Sequence, residues 1–181
     1  MRRADLERLG IQLPVLPTIV LGALPGPPGW APRLERIGLD VVASGAAGDD
    51  AATWAAARAA VPHRPVKAVA ADGPAIAALA AAGCRLVEGD GAGAPDGVYV
   101  IDPGDGVCAA VDGGTSEVEV ADEVAARILE HVASAAPAAV WVAATPGLAA
   151  LPDAAVEAKL TALVDGTRRA RLLLAKNQFD M

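Results

Sequence analysis

Aromatic side chains make up only 3% of the 181 residues, with a single Phe and a single Tyr. The interior therefore has to be packed from small aliphatic side chains between closely approaching elements. Cysteine is nearly absent too. Cys84 and Cys108 each open an apolar segment and show no Cys-x-x-Cys spacing, which reads as two buried, reduced thiols rather than a disulfide or a metal knuckle. No apolar run reaches the ~20 residues of a membrane-spanning helix. The start Met1-Arg2-Arg3 leads into the charged Asp5-Leu6-Glu7-Arg8 rather than a signal-peptide core, so a cytoplasmic protein without membrane contact is expected. Positive charge is also in deficit, with 15 Lys and Arg against 22 Asp and Glu and a formal net charge of -7. That balance disfavours a nucleic-acid surface, which depends on clustered basic residues, and leaves a small molecule or a protein as the expected partner.

What is abundant is Ala, Val and Leu. At 54% hydrophobic and 20% charged, the chain has material for one buried core and no bias toward disorder. It reads as a single domain over 1–181, with an N-terminal segment 1–15 and a C-terminal tail 175–181. Short β-rich runs at 18–21, 39–43, 66–70, 85–87, 98–101, 107–111 and 140–143 alternate with Ala-rich helical stretches. This is the pattern of a parallel sheet with crossover helices. Unbroken runs of Val, Ile and Ala suit strands buried on both faces. Seven such strands is one short of a closed eight-stranded barrel.

The helix ends carry their own signals. Asp49 or Asp50 can cap a helix through about Val61, and Asp72 with Pro74 in the first turn can start one that ends before Gly83. Ser116 and Glu119 have capping-box spacing ahead of Val120, Val124, Ile128 and Val132, which recur with helical period. Pro152 and Asp153 open the last long helix, with Val156, Leu160, Leu163 and Val164 on its buried face and Arg168, Arg169 and Arg171 near its end. Those arginines read as a solvated helix end ahead of an anion site. The Gly-rich stretch 88–97 and the Pro103-Gly104-Asp105-Gly106 segment hold no room for a helix. The first lacks a Gly-Lys-Ser/Thr ending, so tight connections are expected there rather than a phosphate cradle.

Five segments, in order, resemble pieces of the catalytic domain of cobalamin-independent methionine synthase. They are Leu16-Pro17-Thr18-Ile19-Val20-Leu21-Gly22-Ala23-Leu24-Pro25, Gly38-Leu39-Asp40-Val41-Val42-Ala43-Ser44-Gly45, the stretch 83–90, Ala109-Ala110-Val111-Asp112 with the helix after it, and Trp141-Val142-Ala143-Ala144-Thr145-Pro146-Gly147-Leu148. The resemblance implies a shortened (β/α) TIM-type barrel of about seven parallel strands, closed or interrupted, with its site at the C-terminal strand ends. It also implies a family chemistry of methyl transfer from a folate to a thiol, in which zinc held by His, Cys and Glu ligands activates the thiol.

The same comparison removes the ligands. The family's Cys falls on Pro146, and its other metal-binding strands correspond to a section missing between Asp90 and Gly106. His63 in a Pro-flanked loop and His131 on an outer helix are not replacements. The family's Ser falls on Ala23, and a substrate-binding Glu falls on Ala46. Gly22 and Asp90 remain as expected substrate contacts, and Asp90, Asp112 and Glu88, with Asp102, remain as candidate acids or bases. Asp90 can ligate a substrate amine or fix its own turn. The expectation is a repurposed binding or accessory protein with no metal and no cofactor. A metal-independent methyltransferase acting on a thiol or related small molecule is the alternative. A missing barrel sector would also leave strand edges exposed, so a homo-oligomer or a heteromeric complex is expected, with Phe179 in the tail as an apolar anchor.

Overall fold

A computed structural model describes residues 3–91, 93–104 and 106–179, with side chains to Lys176. Seven short strands lie close to the expected runs: β1 (Thr18–Val20), β2 (Val42–Ala43), β3 (Val66–Val69), β4 (Leu86–Glu88), β5 (Tyr99–Ile101), β6 (Val107–Val111) and β7 (Trp141–Ala144). Helices α1 (Arg3–Arg8), α2 (Ala31–Ile37), α3 (Ala51–Ala60), α4 (Gly73–Ala81), α5 (Ala121–Val132) and α6 (Asp153–Phe179) complete the order. All strand pairings are parallel, in two sheets ordered β1-β7-β6 and β2-β3-β4-β5. The first strand thus lies against the last. Val41 N–H donates to Thr18 O at 3.1 Å and brings the second sheet alongside β1.

No pairing joins β5 to β6 among the described residues, so the strands form two parallel sheets and not a closed barrel. Among the described residues no helix lies between β4 and β5 or between β5 and β6, and the outer edges of β5 and β6 have no strand neighbour.

Both faces of most strands are buried, by residues that alternate along each strand, while Ala109 in β6 is exposed and β5 is only partly buried. Ile19, Leu21, Val41, Leu86, Ile101, Trp141 and Ala143 point into one cluster. Val20, Val42, Ala68, Val87, Cys108, Val142 and Ala144 point the other way, onto helix residues such as Leu34, Trp54, Ile76, Val124 and Leu160. The N-terminal segment closes the first cluster, where Leu6 and Leu13 are buried among these side chains. The sequence assigned no helix there, and α1 is what delivers Leu6.

The caps divide into two kinds. Asp50 accepts from Thr53 N at 2.7 Å and Asp72 from Ala75 N at 2.9 Å, as the sequence suggests. The Ser116–Glu119 capping box does not form: α5 begins after Val120 with no side-chain cap. Glu119 instead accepts from Asp112 N at 2.7 Å and from the buried Lys159 at 2.9 Å. Burial pushes the Glu119 carboxyl up, but those donors outweigh it and hold it below its ordinary range.

The last helix continues well past Arg168, Arg169 and Arg171, so they lie within it rather than at its end. Arg171 bonds the carbonyls of Val15 and Leu16 at 2.8 Å each and Asp40 at 2.6 Å. Arg169 pairs with Asp122, and Arg168 with Asp165 at 3.2 Å. Arg168 and Arg169 are solvent-exposed, as expected, but they lie inside the helix and are paired with carboxylates, so no open anion site is formed. The expected tail from 175 is helical as far as Phe179. The anchoring role expected of Phe179 falls outside the described side chains.

Candidate functional site

The C-terminal ends of the strands bring two of the expected residues together. Glu88 closes β4 on the same face as Leu86, which points into the inner cluster. One carboxylate oxygen accepts from Gly22 N–H, just past β1, at 2.8 Å, and the other accepts from Lys67 Nζ. Lys67 sits inside β3 at 0% exposure, and Glu88 retains 7%. Two charges taken from water survive only when each is paired and hydrogen-bonded, and here each satisfies the other. Glu88 therefore accepts hydrogen bonds on both oxygens, and it can act as a base only by giving up a buried ion pair. Gly22 has φ 71°, a backbone region that favours glycine. A Cβ there would also lie 3.4 Å from Pro146 Cβ.

The remaining acids lie at the rim. Asp102 and Asp112 are exposed, and each accepts from the backbone N–H two residues on, Gly104 and Gly114, at 2.8 Å. Those are turn-fixing bonds. Thr145 Oγ1 accepts from Gly113 N at 2.8 Å and donates to Asp112 Oδ1 at 3.3 Å, tying the β6 and β7 ends together. Asp90 is exposed, two residues beyond Glu88. Among the described residues, Asp102 and Asp112 are thus engaged in their own turns, and Glu88 is bonded to Lys67 and Gly22.

Two polar groups were missed. Lys67 is one. The other is the pair Ser44 and Asp49, both buried, in which Ser44 Oγ bonds Asp49 Oδ1 and Val69 N–H donates to Asp49 Oδ2 at 2.8 Å. Burial raises the Asp49 carboxyl above its ordinary value, against the opposing pull of these donors. In the sequence Asp49 reads only as an alternative cap to Asp50.

Both thiols are free and buried. Cys108 faces the helices, and burial pushes its thiol up to about 11; burial raises Cys84 too. Because the thiolate is the reactive form, neither residue should react with an aromatic disulfide reagent at pH 8 while the protein is folded. Both should react at once in denaturant. A fast native reaction of either thiol would contradict its placement.

No family model matches the sequence, and a search of curated proteins finds no match. Among solved structures, the chain is similar to a B12-independent methionine synthase from Shewanella sp. W3-18-1 in complex with selenomethionine. Identity is 16%, the match covers 81% of this chain and 55% of that one, and the TM-score is 0.37. The likeness is distant. This chain spans about half the length of the protein it matches.

Proposed function

We propose that this chain is a methionine-synthase-like α/β protein repurposed for binding or an accessory role, without catalysis at its strand ends. The observation that carries the proposal is the use of Glu88. The best-placed acid is bonded to Lys67 and Gly22, and the inner cluster beneath it is filled by Leu21, Leu86, Ile101 and Trp141. The family origin is supported by the five collinear sequence segments and by the adjacency of β1 and β7. An accessory role agrees with the unpaired outer edges of β5 and β6.

Zinc, which the resemblance implies, does not fit the residues present. Among the described residues no three His, Cys, Asp or Glu side chains gather to hold a metal ion. The two thiols are buried, and Pro146 offers no ligating atom. The expected results are purified protein without stoichiometric zinc, a thermal midpoint that chelator leaves unchanged, and no methylated thiol above the blank when folate or corrinoid methyl donors are supplied with zinc. A bound structural metal contributes about 10 kcal/mol or more in zinc peptides, so a chelator-induced fall in midpoint would be large. Such a fall, or thiol-dependent turnover, would overturn the proposal.

A further inference from the structure

A concavity lies at the opposite end of the strands from Glu88. It is a pocket of about 480 Å³ where β3 and β4 begin, between the turn after α1, the 62–65 loop and the segment leading into Leu86. That volume falls within the ~300–1,000 Å³ of typical small-molecule sites. Its polar lining is of one sign. Arg58, His63, Arg64 and Arg85 face it together with Gln12, and no carboxylate lines it. The chain as a whole carries a formal charge of -7, so this concentration of positive side chains is a local reversal.

These side chains are also undercommitted. Among the described residues, no carboxylate pairs with Arg58, His63 or Arg85. Arg58 donates one bond to the Val61 carbonyl at 3.2 Å. Arg64 comes only within 3.9 Å of Asp40 Oδ1, while Asp40 Oδ2 is already held by Arg171 and by Thr18 at 2.6 and 2.9 Å. Guanidinium groups have planar, fork-shaped donor sets that match phosphate oxygens. Trp54 also lines the pocket; its indole N–H donates to Val66 O at 3.1 Å and the residue is 9% exposed, so it offers a small apolar edge.

We infer that this pocket binds a small phosphate-bearing molecule with an apolar or planar body, the phosphate held by Arg64 and Arg85 with Arg58 and His63 near, and the body against Trp54. Three guanidinium groups call for a ligand with more charge than a single carboxylate. The pocket lies away from the strand ends, and its occupancy is independent of whether those ends catalyse anything.

Titration of the full chain with phenyl phosphate, inorganic phosphate and benzoate, read by tryptophan fluorescence and calorimetry, tests it. Phenyl phosphate should bind one to one, more tightly than either of the other two, and should weaken as salt is raised. Arg85→Gln and Arg64→Gln should each weaken it about tenfold, the loss of one charge-assisted contact. The exposed Arg36 does not line the pocket, so Arg36→Gln should change nothing. Circular dichroism of each variant confirms folding. Absence of phenyl phosphate binding at millimolar concentration, equal binding of benzoate, or binding unaffected by both pocket variants would overturn the inference.

Discussion

Lys67→Met is expected to destabilise the protein by about 3–5 kcal/mol, because it leaves Glu88 charged and buried without its partner. Met nearly matches the Lys stem in volume, so little of the loss arises from packing. Glu88 keeps only the Gly22 N–H at 2.8 Å, and one hydrogen bond does not repay removal of a carboxylate from water. A denaturant midpoint shift at unchanged slope measures the loss. A Lys67→Met protein as stable as the parent would mean that Glu88 is solvated.

Gly166→Val should cost about 3 kcal/mol, at the upper end of the usual range for overpacking. Gly166 lies inside α6 and is buried. A Cβ there would sit 2.5 Å from Val124 Cβ and 2.9 Å from Ala121 O on α5. Glycine in a helix interior gives up about 1 kcal/mol relative to alanine, so its presence at the α5–α6 crossing is a concession to close approach. Gly166→Ala should therefore also lose stability, because its Cβ meets the same Val124 Cβ and Ala121 O. Thermal or denaturant unfolding of the three proteins checks this, and a stabilised Gly166→Ala would show that the two helices pack less tightly.

The sequence made the strands legible because most are buried on both faces, so runs such as Val66-Lys67-Ala68-Val69 and Trp141-Val142-Ala143-Ala144 stand out against the Ala-rich helices. It made α3 and α4 legible through Asp50 and Asp72. What it could not supply was partner identity across the sheet. Lys67 is a single charge in an apolar run, and only the β3–β4 register, with Ala68 opposite Val87 and Val69 opposite Glu88, brings its ammonium to Glu88. The available signal was a lysine in the middle of a strand with no exposed face. Glu119 misled for a related reason: capping-box spacing is local, whereas Lys159 and Asp112 claim its carboxylate through tertiary contacts. The C-terminal boundary failed because three arginines resemble a helix end, although Asp122, Asp165 and Asp40 pair with them along an uninterrupted helix.

Whether Glu88 is a structural group or a reactive one is decided most directly by a double-mutant cycle on Lys67→Met and Glu88→Leu, read by stability and by thiol methylation. Each single replacement should be strongly destabilising. The double replacement should recover most of the loss, because an apolar pair substitutes well for a buried ion pair, giving a coupling of about 2 kcal/mol or more, and no variant should differ from the blank in methyl transfer. Additive, small stability effects together with a methyl-transfer activity that Glu88→Leu abolishes would contradict the structural role and return the strand ends to catalysis.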